Sequence, residues 1–231
     1  MISFARVAMV GIALLMAGTV QAQTTPAASG SGGRVYAEVA AGSTFGHVSA
    51  RSVGGEAGVR LTDAVEVFVE GGRMDNVATA DLDARAQIIA TFIRGSSSVV
   101  QKSTYVDAGV KYRFPPMGGM VRPYIGVGIG SAKVTRQVSF AVNGTDVTSQ
   151  LLDRFGIQLG NDLTDAVDKR FVMVTFGAQA LFAKHFVVDG SYRYGRILPK
   201  ACSRNTCSEG EIDGDVGINA QRVQIGVGVR F

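Results

Sequence analysis

A regular alternation of apolar and polar or small residues is the feature that most constrains how this chain can fold. The final eleven residues, QRVQIGVGVRF, place Val223, Ile225, Val227, Val229 and Phe231 on one face, with polar residues or glycines between them. A period of two indicates a β-strand with two unlike faces. A strand that ends on its apolar face predicts the closing strand of a barrel, which pairs with the first strand and leaves no open edge.

The same alternation occurs in seven earlier segments, so the sequence predicts eight strands. The earlier segments are 35–45, 53–61, 64–72, 105–114, 124–130, 172–182 and 186–194. The connections between them differ in length in a regular order. Short connections at 62–64, 115–121 and 183–185 alternate with longer ones at 46–52, 75–101, 135–170 and 198–217. In an up-and-down meander, this order predicts short turns at one end and long loops at the other.

The first 22 residues have the pattern of a cleaved secretory signal. Arg6 provides a basic start, residues 7–20 are apolar, and small residues at Val20 and Ala22 predict cleavage after Ala22. Residues 23–33, QTTPAASGSGG, predict a flexible linker, and residues 34–231 form the folded domain. No later stretch reaches the roughly 18 consecutive apolar residues of a helical span. The mature chain therefore crosses a membrane as strands or is a soluble exported β-domain.

Aromatic residues on the apolar face favour the membrane alternative. They lie near the short-turn end, as in the interfacial girdle of a membrane barrel: Tyr112, Phe114, Phe182, Phe186 and Phe231. With the signal sequence, the eight runs and the alternating connections, the chain resembles the small eight-stranded bacterial outer-membrane barrels of the OmpA, OmpX and opacity type. The resemblance implies an all-β, antiparallel, up-and-down transmembrane β-barrel with long, partly helical outer loops, located in the bacterial outer membrane in contact with its lipid.

The resemblance also implies a partner in assembly. In such barrels the last strand, with its terminal phenylalanine, resembles the signal that the barrel assembly machinery reads. We assign that role to Phe231, with Ile225, Val227 and Val229 as its apolar row. Both chain termini are then expected on the periplasmic side.

Charged residues of both signs lie on the face opposite the apolar one and are expected to point into the barrel. An eight-stranded barrel has little room beyond its own side chains, so mixed charges predict a plugged lumen. A selective pore would instead carry rings of one sign. Gly126, Gly128, Gly226 and Gly228 are expected to leave gaps through which water could pass. The predicted lumen network comprises Glu38, Glu56, Arg60, Glu66, Glu70, Asp107, Lys111, Arg113, Asp189, Arg193 and Arg222.

Two outer loops carry apolar residues at helical spacing. Residues 80–94 place Leu82, Ala86, Ile89 and Ile93 on one face, and residues 161–170 predict a second helix capped by Asn161. An apolar stripe outside a membrane needs a partner. The loops either pack on each other over the barrel mouth or form a docking surface for a host, a phage or another subunit.

The last outer loop contains the chain's cysteines and an acidic run. Cys202 and Cys207 are the only cysteines, and export to an oxidising compartment predicts a disulfide between them. The run from Glu209 to Asp215 resembles the start of a calcium loop, but position twelve would be Ala220 instead of Glu. A solvated acidic loop is therefore favoured over a divalent-ion site.

No constellation in the sequence predicts catalysis. His47 and His185 are the only histidines and lie at opposite ends of the predicted barrel, and Ser49 near His47 is the sole hint of a catalytic pair. We expect no enzyme activity, cofactor or metal. The net charge of +4 is scattered, which argues against nucleic-acid binding. The sequence favours a structural or surface-interaction protein acting through its outer loops, with a narrow porin-like diffusion channel as the alternative.

Overall fold

The fold is a closed, all-antiparallel β-barrel with helical outer connections. The computed structural model of the protein describes residues 34–118, 120–159, 163, 166–182, 185–199 and 217–231. Its strands are β1 (Val35–Phe45), β2 (Ala50–Arg60), β3 (Val65–Met74), β4 (Ser96–Arg113), β5 (Val121–Val142), β6 (Thr145–Asp146), β7 (Ala166–Phe182), β8 (Phe186–Ile197) and β9 (Ile218–Arg230). The helices are α1 (Ala80–Phe92), a 3-10 turn (Thr148–Gln150) and α2 (Leu151–Phe155).

Eight of the strands close the barrel, which confirms the fold predicted from the sequence. Each pairs with its neighbour in chain order, from β1 through β5 and from β7 through β9, and the long β5 pairs with β7. Strand β9 returns to β1, with Tyr36 opposite Arg230 and Phe45 opposite Gln221. The two-residue β6 folds back on the last residues of β5 and is not part of the closed barrel. Closure gives every barrel strand two partners and removes the exposed edge that a membrane would not tolerate.

The two faces of the strands are separated as the alternation predicts. Ile129 on β5 and Ile225 on β9 are 71% and 67% exposed on the outside, whereas Glu70 and Arg222 are buried inside. All five aromatic residues of the predicted girdle are exposed near the short-turn end. An apolar exterior around a charged interior is the reverse of a soluble barrel and fits immersion in lipid.

The two longest strands extend much further than the sequence indicated. Strand β4 begins at Ser96 and β5 continues to Val142, so much of the predicted connections 75–101 and 135–170 is strand. The helix predicted at 161–170 is wrong for its second half, because Ala166–Arg170 pairs with Ser131–Thr135 of β5. A helix forms earlier, at Leu151–Phe155. The first outer connection is also shorter than predicted, since β1 ends at Phe45 and β2 begins at Ala50.

Apolar residues change face along β5. Near the short-turn end, Val127 and Ile129 point outward and are exposed. Toward the long-loop end, the buried residues have the opposite parity: Ala132, Val134, Val138 and Phe140. The outer part of the strand therefore has an apolar inner face and a polar outer face, as expected of a sheet surrounded by water.

The helical stripe of α1 is buried within the protein. Thr79 caps the helix by accepting a hydrogen bond from the Leu82 N–H at 3.3 Å, which confirms the helix predicted in this loop. The stripe packs on the extended β4–β5 hairpin and on the segment that follows it. We call this set the outer cluster: Leu82, Ala86, Ala90, Ile93, Val138, Phe140, Val147, Leu151 and Leu163. Among the described residues, no helix is both long and apolar enough to cross a membrane.

The barrel topology predicts which turns a reagent can reach from outside the cell. The tip of the β5–β6 hairpin contains Asn143 and Gly144 at φ 51° and 79°, a geometry that suits these two residues. We therefore place the outer cysteine at exposed Thr145 and the inner one at exposed Asp63, in the β2–β3 turn. On whole cells, an impermeant thiol reagent should label Thr145→Cys and spare Asp63→Cys. Labelling of Asp63→Cys in intact cells would contradict the topology.

Candidate functional site

Aromatic side chains and glycines shape the interior of the barrel. Inward-pointing tyrosines lie across glycines on neighbouring strands, where a larger residue would collide with the ring. A Cβ at Gly58 would lie 2.5 Å from the Tyr36 ring, and one at Gly177 would lie 2.5 Å from Tyr124. These close approaches let large rings fill a narrow lumen and leave the remaining space to charged side chains.

Arg193 is the centre of an ion-pair network that spans the lumen. From β8, its guanidinium donates to the carboxylates of Glu56 on β2 and Glu70 on β3. Arg222 on β9 also donates to Glu70, at 3.0 Å. Lys111 on β4 donates to Glu56. The network joins five strands through side chains that are all nine-tenths or more buried.

Tyrosine hydroxyls and ring faces complete the surroundings of these charges. Tyr105 donates to Glu70 at 2.6 Å, and Tyr36 donates to Glu56. The Lys111 ammonium lies 4.8 Å from the centre of the Tyr124 ring. The Arg222 guanidinium lies 4.2 Å from the centre of the Tyr105 ring. Because the face of an aromatic ring attracts cations, Tyr124 and Tyr105 add to the stabilisation of Lys111 and Arg222 by the carboxylates.

A second group of ion pairs surrounds Glu66 near the short-turn end. Its carboxylate accepts from Arg113 at 2.6 Å and Arg230 at 3.3 Å, and it lies 3.6 Å from the Arg60 Nε. Arg230 also donates to the Gln179 side chain at 2.6 Å. Three arginines thus surround one carboxylate, which gives this group a net positive charge at the short-turn end of the lumen.

Three predicted network residues do not join an ion pair. Among the described residues, the carboxylate oxygens of Glu38 and Asp107 have no hydrogen-bond partner. Asp189 accepts a hydrogen bond from the Tyr124 hydroxyl at 3.0 Å, and its other oxygen has no partner. These acids lie in the lumen with the other network residues, but none of them lies within ion-pair distance of a described cation.

The lumen glycines do not leave the gaps that we expected. A Cβ at Gly226 would lie 2.2 Å from Glu38 Oε1, and one at Gly128 would lie 2.6 Å from Asp107 Oδ2. At Gly126 and Gly228 the nearest atoms would be 2.7 Å and 2.6 Å away. The space that each glycine vacates is occupied by a neighbouring side chain or strand, so these positions do not provide a path for water.

Sequence reasoning overlooked Arg230 and the tyrosines. Arg230 falls on the inward parity of β9, in phase with Arg222, so the alternation alone could have identified it. Tyr36, Tyr105 and Tyr124 have the same inward parity on their strands. Their role depends on which glycine and carboxylate lie opposite, which is set by the pairing register and not by the sequence pattern of one strand.

Comparison with known families agrees with this architecture. Residues 10–231 match the outer membrane protein beta-barrel domain family. The chain belongs to this family. Its members are barrels of the bacterial outer membrane, so the apolar exterior is the lipid-facing wall and the long loops lie on the outer side.

The solved structures that this chain resembles include several outer-membrane barrels. A major outer membrane protein from Thermus thermophilus superposes with a TM-score of 0.52 at 11% identity, covering 85% of this chain and 99% of that one. Neisserial surface protein A gives a TM-score of 0.48 at 17% identity, with 85% and 96% covered. The barrel domain of Pseudomonas aeruginosa OprF gives 0.46 at 18%, with 87% and 99% covered. No curated protein sequence matches the chain at a significant level.

The two histidines of this outer-membrane barrel take no part in the lumen ion pairs. The structure brings His47 to Asp83, 3.3 Å away, while His185 contacts the Arg230 carbonyl oxygen at 3.0 Å. Cys202, Cys207 and the acidic run from Glu209 to Asp215 lie outside the described residues. Within the described part of the chain, no three metal-ligating side chains cluster.

Deleting Phe231 should reduce the yield of assembled barrel far more than the stability of barrel that has folded. Its backbone pairs with Val35 through an N–H···O bond of 2.9 Å, and its side chain is 71% exposed on the lipid-facing wall. Burial in lipid accounts for about 1–3 kcal/mol. A larger loss in membrane fractions would reflect failed recognition during assembly. Phe182→Ala, another girdle aromatic, is the control and should assemble nearly normally; equal losses in both variants would contradict a special role for Phe231.

Proposed function

We propose that this protein is a non-enzymatic structural or surface-interaction barrel that acts through its outer loops, with a lumen plugged by its own side chains. In this proposal the signal at residues 1–22 is cleaved on export, and the barrel assembly machinery inserts the domain by reading the last strand. The observation that carries the proposal is the ion-pair network centred on Arg193. It crosses the lumen from β2, β3 and β4 to β8 and β9 with buried charges of both signs.

The arrangement of charge argues against efficient conduction. A conducting pore holds its ions weakly enough to release them, and its wall usually carries one sign of charge around an open path. Here Glu56 and Glu70 are held by cations from β4, β8 and β9. A cation entering this region would have to displace a protein cation from Glu56 or Glu70. An anion would have to displace one of these carboxylates from its protein cation, so the network opposes passage of either sign.

The outer part of the protein supports a role in contacts outside the cell. The β4–β5 hairpin and α1 form a packed unit with its own apolar core beyond the barrel, the outer cluster. The opposite face of α1 exposes Ile88 and Phe92, at 71% and 72% exposure. A folded outer unit with exposed apolar side chains is suited to bind an extracellular ligand or a host surface. Export also favours a disulfide between Cys202 and Cys207 in the last outer loop.

Conductance of refolded protein in a planar lipid bilayer tests the proposal. A plugged lumen should give small, rare openings. Large and steady openings would support the porin-like diffusion channel and overturn the proposed plug. Heat-modifiable migration on gels checks that the protein in the bilayer preparation is folded, so that an absence of current is not misread as a plug.

A further inference from the structure

Four cations form a diagonal row across the outer wall of the barrel. They lie on four consecutive barrel strands, and all four side chains are exposed: Lys102 on β4, Lys133 on β5, Arg170 on β7 and Arg196 on β8. Each cation of the row is a diagonal neighbour of the next: the residue directly opposite it on the adjacent strand lies two positions from the next cation. Lys102, for example, lies opposite Thr135, two residues from Lys133. Such diagonal neighbours are about 7–8 Å apart. We call this set the cation row.

The cation row follows the upper edge of the apolar wall. On β7, Arg170 is the next outward-facing residue above Val172, toward the long loops. On β8, Arg196 is the next outward-facing residue above Tyr194. On β4 and β5, one small polar residue separates Lys102 and Lys133 from the last exposed apolar residue, Val106 or Ile129. The change from apolar to cationic recurs at the upper edge of the apolar wall on four strands, which is the pattern expected where lipid tails give way to headgroups.

The protein balances the charges of the row only in small part. Among the described residues, none of the four cations forms an ion pair, whereas Arg73 on β3 pairs with Asp75 at 3.1 Å. Among the described residues near the row, Asp168 is the only acid that faces outward. It lies directly opposite Lys133 on the neighbouring strand. One acid against four bases leaves a strongly cationic band on one side of the barrel.

We propose that the cation row binds the anionic headgroup phosphates of lipids in the outer leaflet. Lysine and arginine at this depth can lay their apolar stems along the wall and raise their charged ends to the headgroups. Phosphate oxygens accept charge-assisted hydrogen bonds from both residue types, and several cations spaced along a wall hold several headgroups at once. A dissolved anion would contact only the charged side chains. A lipid places its phosphate on the cations and its acyl chains on the apolar wall directly below them, so the structure favours lipid as the source of phosphate.

The test measures which lipids surround the barrel. Folded protein is reconstituted in phosphatidylcholine vesicles that contain traces of spin-labelled phosphatidylglycerol or spin-labelled phosphatidylcholine, and the immobilised fraction of each label is compared. The test variant is Lys133→Gln/Arg170→Gln, at the centre of the row. The control is Arg94→Gln/Arg154→Gln, which removes the same charge from exposed positions just after α1 and in α2. Single variants of Lys133 and Arg170 are measured if the double variant folds poorly on a heat-modifiability gel.

We expect the unmodified protein to select the anionic lipid, and the selectivity to fall about fivefold for each row cation removed. The control variant should keep the selectivity of the unmodified protein. Equal losses in test and control would show a general charge effect and overturn the proposal, as would equal immobilisation of the two labels by the unmodified protein. Excess inorganic phosphate should displace the labelled lipid only weakly; complete displacement would identify a site for free anions instead of headgroups.

Discussion

Replacing Arg193 by Gln should lower the free energy of unfolding of the barrel by about 3–5 kcal/mol, the usual cost of breaking a buried ion pair. The guanidinium holds Glu56 and Glu70, and its side chain is only 2% exposed. Its removal leaves two buried carboxylates with one cation fewer to balance them. Denaturant unfolding of the barrel in lipid vesicles measures the loss, and a lower temperature of heat-modifiable migration should accompany it.

Arg60→Gln is the matched control for this prediction. Arg60 is 13% exposed and lies 3.6 Å from Glu66, which keeps Arg113 and Arg230 as partners. We expect a loss of only about 0–1 kcal/mol. In the double variant Arg193→Gln/Glu70→Gln, the loss should be smaller than the sum of the two single losses, because the charges interact directly. Unchanged stability of Arg193→Gln with altered ion selectivity would indicate a hydrated, open lumen.

Replacing Phe140 by Ala should unfold the outer cluster and leave the barrel intact. Phe140 is 1% exposed and packs in the outer cluster with α1 and Leu151. Removing a buried phenylalanine side chain costs about 3–5 kcal/mol. A separate apolar cluster inside the barrel, which includes Tyr105 and Phe171, shares no residue with the outer cluster, so the loss should remain local. Hydrogen exchange should show loss of protection in α1 with unchanged protection in β1 and β9.

The control for this change is Phe92→Ala. Phe92 belongs to α1 as well, but its side chain is 72% exposed. The same truncation should change the stability of α1 by no more than about 0.5 kcal/mol. Equal loss of protection in the two variants would mean that α1 is held by its own helical propensity and not by packing on the hairpin.

The sequence predicted the membrane part of the fold well because one physical pattern governs it. Lipid requires apolar side chains on one face of every strand, and that requirement produces an alternation visible in single strands such as β9. The pattern fails beyond the membrane, where water surrounds the sheet and the apolar parity reverses. On β5 the apolar residues change from the outer face at Ile129 to the inner face at Ala132 and Val134. The alternation therefore predicted an end of the strand near this point, whereas the strand continues to Val142.

The lumen could be predicted as a collection of charges but not as a set of pairs. Inward parity identified Glu56, Glu70, Arg193 and Arg222 from the sequence. Which of them meet depends on the stagger of strands around the closed barrel, and positions such as Arg193 and Glu56 are 137 residues apart in the chain. Glu38 and Asp107 have the same parity, yet their carboxylates form no hydrogen bond or ion pair among the described residues. Single-strand patterns contain no information about that stagger.

The separation of the outer cluster from the lumen network divides the protein into two parts that can vary independently. Side chains of the outer cluster contact one another and the outer half of the β4–β5 hairpin, while the ion pairs lie among the membrane strands. A substitution on the surface of α1 or at the hairpin tip therefore does not disturb the charges that hold the barrel together. Sequence changes on the exposed surface of the outer unit can therefore accumulate without loss of the ion pairs that stabilise the lipid-embedded half.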